Sequence, residues 1–127
     1  FVDSQITLNM TQTSTLTNAE PALVGTSRHN FNGILEARSS RLTARLLFNS
    51  FSDRISDLGS FGLPDIFEEG RRTLDLAVSG TISKLRIRLS VDNLTDTDVR
   101  FLQGANNVHR LFKLGRTFAV QFGASAF

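Results

Sequence analysis

The chain has 127 residues, 40% hydrophobic and 20% charged, with fourteen Lys or Arg against twelve Asp or Glu and a formal net charge of +2. That length suits one domain or part of one, and the near-balanced charge excludes a basic nucleic-acid face. Cysteine is absent, which excludes disulfides and thiolate metal sites, and no apolar run approaches the ~18 residues of a membrane-crossing helix.

Apolar residues recur with a period of two along most of the chain, the mark of half-buried strands rather than helices. The first predicted strand is FVDSQITLNM (1–10), with Val2, Ile6, Leu8 and Met10 on one face and Asp3, Gln5, Thr7 and Asn9 on the other. It opens without methionine, which reads as a mature terminus or a fragment of a longer chain. The second is NFNGILEAR (30–38), carrying Phe31, Gly33, Leu35 and Ala37 on one side. The third, RLTARLLFN (41–49), sets Leu42, Ala44, Leu46 and Phe48 against Thr43, Arg45 and Asn49. GLPDIFEEGRR (62–72) holds proline and glycine and reads as loop. The fourth strand is RTLDLAVSG (72–80), with Leu74, Leu76 and Val78 opposite Thr73, Asp75 and Ser79. The fifth, LRIRLSVDNLTDTDVRF (85–101), begins with Leu85, Ile87, Leu89 and Val91 alternating with Arg86, Arg88, Ser90 and Asp92. The sixth, KLGRTFAVQFGASAF (113–127), carries Leu114, Phe118, Val120 and Phe122.

Alternation also predicts pairing, because a slip of one residue would exchange the faces. Joining strands two and three through RSSR (38–41) pairs Ala37 with Leu42 and Phe31 with Phe48. Joining four and five through a four-residue turn, TISK (81–84), pairs Gly80 with Leu85, Val78 with Ile87, Leu76 with Leu89 and Leu74 with Val91. This register places Asp75 diagonal to Arg88. Between these hairpins lie long connections over roughly residues 11–27, 50–70 and 93–111, which are uncommon in compact soluble domains. Tight turns at one end and long loops at the other, joining strands of about ten residues, are the pattern of an outer-membrane β-barrel. A soluble β-sandwich accounts equally well for the alternation alone; the loop asymmetry and the arginines of the polar face favour the barrel. The predicted fold is therefore all-β, an antiparallel transmembrane barrel segment of about six strands. Its lipid face would carry Leu74, Leu76, Val78, Ile87, Leu89 and Val91, and its lumen face Arg45, Asp75, Arg86 and Arg88.

LSVDNLTDTDVRFLQG (89–104), followed by RLFKLGRTFAVQFGASAF (110–127), resembles the end of TonB-dependent outer-membrane receptors. Val91, Asn93, Leu94 and Asp96 fill the family's Val-x-Asn-Leu-x-Asp motif. Phe112, Gly115, Arg116 and Phe118 resemble its Tyr-x-x-Gly-Arg-x-Phe-type opening of the last strand, with Phe112 where tyrosine is common. Residues 40–82, including LPDIFE (63–68), also resemble the preceding family strands, so the likeness spans nearly the whole chain. The resemblance implies the last strands of a barrel of about 22 strands, in the bacterial outer membrane, with the C-terminus on the periplasmic side. It implies energised uptake of a scarce nutrient. The partners would be the rest of the barrel and a plug, a TonB-type energiser acting through that plug, the barrel-assembly machinery and the lipid bilayer, with no nucleic acid. Residues 1–127 would form only the C-terminal part of such a barrel, with no plug domain among them. The alternative is a structural or adhesive outer-membrane barrel subunit without transport activity.

The family's C-terminal assembly signal would fall on Phe118, Val120, Phe122 and Phe127. Phe127 is out of phase with the other three, so a bulge at Gly123 is predicted to restore its orientation. Phe31, Phe48, Phe112 and Phe118 would supply the interfacial girdles, since the chain has eleven phenylalanines and no tyrosine or tryptophan. Enzymatic activity has no support. His29 and His109 are single loop histidines, Asp92, Asp96 and Asp98 read as a solvated acidic turn, and no serine occupies a nucleophile elbow. No cofactor is expected.

Overall fold

A computed structural model describes residues 2–4, 15–18, 20–104 and 107–124. The described residues form strands β1 (Asn30–Arg38), β2 (Leu42–Phe51), β3 (Arg54–Asp57), β4 (Ile66–Glu68), β5 (Arg71–Ile82), β6 (Leu85–Asp92), β7 (Asp98–Gln103), β8 (Asn107–Lys113) and β9 (Thr117–Ala124), with no helix among them. They divide into two compact units, one of residues 31–49, 72–97 and 114–127, the other of residues 1–30, 50–71 and 98–113.

The first of these holds an antiparallel sheet in the order β1-β2-β5-β6-β9. β1 and β2 are joined through residues 39–41, where the Ser39 N–H donates to Leu42 O at 2.7 Å. Ser52 N–H donates to His29 O at 3.0 Å, which with the Ser39–Leu42 bond shifts this hairpin by two residues from the expected pairing of Ala37 with Leu42. Glu36 then lies opposite Arg45, and Phe31 and Phe48, rings 6.0 Å apart, are diagonal neighbours. β5 and β6 meet through a two-residue turn, and here too the expected register is corrected. Ile82 pairs with Leu85, Gly80 with Ile87, Val78 with Leu89 and Leu76 with Val91. The shift is two residues from the four-residue turn expected over 81–84. Ser83 makes the tighter turn by adopting a φ of 57°, the positive value that two-residue hairpin loops require at their first position. A shift of two keeps every side chain on its face, so apolar residues still meet apolar residues.

The β6–β9 ladder runs without a break from Asp92↔Thr117 to Leu85↔Ala124. The bulge predicted at Gly123 is absent: Gly123 pairs regularly with Arg86. Phe127 lies outside the described residues, as does most of the first predicted strand. The fifth predicted strand ends at Asp92, and its last residues form β7 in the other unit. It stops because Asn93 and Asp96 take left-handed φ values of 54° and 52°, a conformation that short polar side chains tolerate best.

In the second unit β3-β4-β7-β8 form a four-stranded sheet built from segments expected to be loop, including Ile66–Glu68 within GLPDIFEEGRR. Ladder irregularities occur between Ile55 and Asp57 and between Phe101 and Leu102. Ile55 and Val99 are the buried hydrophobic residues, accompanied by the buried polar side chains of Ser27, Asp65 and Glu68. Glu68 accepts from Arg54 Nε at 2.7 Å, and Arg71 Nη1 lies 3.6 Å from it. Both guanidiniums also cover the Phe51 ring, at 4.8 and 5.2 Å from its centroid. The turn Ser60–Leu63 closes with a 3.0 Å bond from Leu63 N–H to Ser60 O. Beneath it the Gly59 N–H donates to Asp65 Oδ1 at 2.7 Å. Gly59 is held by space as well: a β-carbon there would collide with the backbone of Leu63 and Pro64.

The architecture is thus all-β and antiparallel, as read from the sequence. The sheets do not close into a barrel: β1 and β9 are the free edges of the five-stranded sheet.

Candidate functional site

The five-stranded sheet has two chemically distinct faces. Strand alternation assigns them. One face carries Leu76, Val78, Ile82, Leu85, Ile87, Leu89, Val91, Phe118, Val120 and Phe122, neighbours in the observed registers. Phe118 is 71% exposed, Phe122 70% and Leu89 50%, and on β1 Leu35 is 70% exposed. None of this unit's hydrophobic residues is fully buried; Ile55 and Val99, the buried ones among the described residues, both belong to the other unit. An apolar sheet face as exposed as this, among the described residues, is the main physical anomaly of the structure. Soluble monomers rarely leave such patches uncovered.

The opposite face is polar. At its tight-turn end it forms a hollow of about 640 Å³, lined by Arg38, Arg41, Arg45, Arg86 and Arg88 together with Ser39, Ser40, Thr43, Ser79, Thr81 and Gln121. Arg86 faces Thr81 and Gly123 across the ladders, and Arg88 faces Ser79 and Gln121, so neither has a carboxylate as cross-strand partner. Glu36 receives Arg45 Nε at 2.9 Å and Arg38 Nη2 at 2.8 Å. Among the described residues no acidic one lines the hollow itself.

Of the polar residues singled out in the sequence, Arg45, Arg86 and Arg88 come together here. Asp75 does not join them. The expected diagonal with Arg88 fails because the two-residue register shift brings Arg88 opposite Ser79. Asp75 Oδ1 instead accepts the Asn93 N–H at 2.8 Å. Phe118, Val120 and Phe122 line the apolar face of edge strand β9, paired with Val91, Leu89 and Ile87. Phe112 of the expected girdle belongs to the other unit, where its ring stacks 6.3 Å from Phe101. Asp98 is also in that unit, 3.5 Å from Lys113 Nζ. Sequence reasoning passed over Glu36, Arg38 and Arg41. The signal for Glu36 was present, since pairing Ala37 with Leu42 puts Glu36 diagonal to Arg45.

Where β5, β6 and β9 meet their long connections, Asn93 ties the three together. Its Nδ2 donates to Gly115 O at 2.8 Å, and its Oδ1 accepts the Thr97 N–H at 3.2 Å. Leu94 N–H donates to Leu74 O at 2.7 Å, and Arg116 Nε donates to Leu94 O at 3.0 Å. Thr97 Oγ1 donates to Arg72 O at 2.6 Å. The Asn-Leu-Thr-Asp-Thr segment is thereby a clamp that satisfies backbone groups at the end of the sheet.

Comparison with protein-family models, with curated proteins and with solved structures finds no match to this chain.

Proposed function

We propose that the five-stranded unit is a section of the wall of an outer-membrane β-barrel, with its apolar face towards lipid and its arginine face towards the lumen. The observation that carries this reading is the exposed apolar face of Leu35, Leu89, Phe118 and Phe122 in a unit with no fully buried hydrophobic residue among its described residues. Covering one such side chain is worth about 1.5–3 kcal/mol. Four of them together are comparable to the net stability of about 5–15 kcal/mol typical of a domain. A face of this kind therefore demands a cover, and lipid supplies one without a second sheet. Long connections at one end and tight turns at the other agree with the same reading. The unpaired edges of β1 and β9 then belong against further strands of the barrel, because an open edge in lipid leaves backbone groups unsatisfied at several kcal/mol each.

Within that class, the Val91–Asp96 and Phe112–Phe118 motifs favour a TonB-dependent receptor, a transporter of a scarce nutrient driven through a plug and an inner-membrane energiser. The chain lacks cysteine, so single cysteines report orientation without background. In the assembled protein, Leu89→Cys and Val120→Cys should react with a lipid-soluble maleimide and resist a water-soluble one, while Ser90→Cys and Gln121→Cys should do the reverse. Equal water accessibility on both faces refutes the membrane reading. Uptake that survives collapse of the inner-membrane proton gradient refutes energised transport and leaves the barrel.

A further inference from the structure

We infer that the arginine-lined hollow at the tight-turn end of the five-stranded sheet is a binding site for a phosphate-class oxyanion. The hollow lies wholly within this unit, and a site there goes beyond the transport reading.

Three features carry it. First, the charge is one-sided. Among the described residues five guanidiniums line the hollow and no carboxylate does. Glu36 satisfies Arg38 and Arg45, while Arg41, Arg86 and Arg88 form no side-chain hydrogen bond or ion pair with another described residue. Second, the arginines are forced together by the fold. Arg86 and Arg88 are two residues apart on one strand, hence on one face about 7 Å apart. That is inside a Debye length of about 8 Å at physiological salt, so each raises the cost of the other. Small partners at Ser79, Thr81 and Gly123 leave the guanidiniums free to converge on an occupant. Third, the lining is matched to a multi-oxygen anion. Arginine forks pair bidentately with phosphate or carboxylate. Hydroxyls of Ser39, Thr43, Ser79 and Thr81 add further donors. A carboxylate brings one charge and two oxygens, whereas a phosphate monoester brings nearly two charges and three oxygens, the better match to several guanidiniums and hydroxyls.

The source of the phosphate, whether a free small molecule or a lipid headgroup, is separated by the experiment. The assembled protein in neutral detergent is titrated calorimetrically with pyrophosphate, and separately with micelles doped with phosphatidylglycerol against undoped micelles. Saturable binding of pyrophosphate, weakened about tenfold by Arg86→Gln and again by Arg88→Gln, is the expected result, since a charge-assisted hydrogen bond is worth about one such factor. Arg88→Lys keeps the charge and loses the fork, so it should weaken binding by less than Arg88→Gln. Arg72→Gln, outside the hollow, should leave binding unchanged. Heat-modified gel migration confirms that each variant assembles. A response to doped micelles alone, with the same arginine dependence, assigns the site to a headgroup and also supports the inference. Absence of saturable binding in both arms overturns it, as does pyrophosphate binding indifferent to Arg86→Gln and Arg88→Gln. Neither result depends on the cysteine labelling that tests the membrane reading.

Discussion

Replacing Asn93 by alanine should destabilise the five-stranded unit by about 3 kcal/mol. Of the three side-chain hydrogen bonds lost, two have no replacement, from Nδ2 to Gly115 O at 2.8 Å and from the Thr97 N–H to Oδ1 at 3.2 Å, whereas Thr95 Oγ1, 3.3 Å from Oδ1, keeps Arg72 O as acceptor. At about 1 kcal/mol each they account for about 2 kcal/mol. The rest comes from the backbone. Asn93 sits at a φ of 54°, where alanine pays about 1 kcal/mol more than asparagine because its β-carbon crowds the carbonyl with no local polar compensation. Asn93→Gly removes the same two bonds and relieves the φ strain, but adds chain entropy in the unfolded state, at about 0.5–1 kcal/mol. Asn93→Gly is therefore expected to fall near or slightly above Asn93→Ala in stability, and Asn93→Asp above both, because its carboxylate still accepts from Thr97. Guanidinium unfolding of the three variants in detergent, followed by far-ultraviolet circular dichroism, gives the order. An Asn93→Ala variant within 0.5 kcal/mol of the parent, a margin set by typical surface substitutions, would show that the clamp carries no stability and refute the reasoning.

Three further substitutions test separate parts of the fold. Leu89→Arg puts a charge on the proposed lipid face and should cost about 2–4 kcal/mol near the bilayer midplane, read as loss of the heat-modifiable species; undiminished assembly would count against the membrane reading. Glu68→Gln removes the carboxylate that holds Arg54 and Arg71 and should cost about 2–3 kcal/mol, below the range for fully buried pairs because Arg54 is partly solvated; Glu68→Asp should recover part of it. Gly59→Ala drives a methyl group into the Leu63–Pro64 backbone and should cost about 1–3 kcal/mol, seen as faster proteolysis of the 57–65 segment with the five-stranded unit unchanged.

The sequence by itself determined which side chains share a face. Period-two alternation does this for β1, β2, β5, β6 and β9, because a side chain's face depends only on parity along the strand. The all-β class, the two tight turns and the long connections were legible for the same reason. Parity, however, cannot distinguish registers two residues apart, and only the tertiary structure chose the Ser83 turn and so separated Asp75 from Arg88. The bulge at Gly123 failed on similar grounds: it was inferred from the phase of Phe127, whereas the β6 ladder fixes Gly123 opposite Arg86. Strands as short as Ile66–Glu68 and Arg54–Asp57 have too few residues to show a period. They exist because β7, more than thirty residues further along the chain, pairs with β4. The arginine hollow was half visible: alternation put Arg86 and Arg88 on the polar face. Their convergence with Arg38 and Arg41 came from neighbouring strands, long-range geometry that no local pattern encodes.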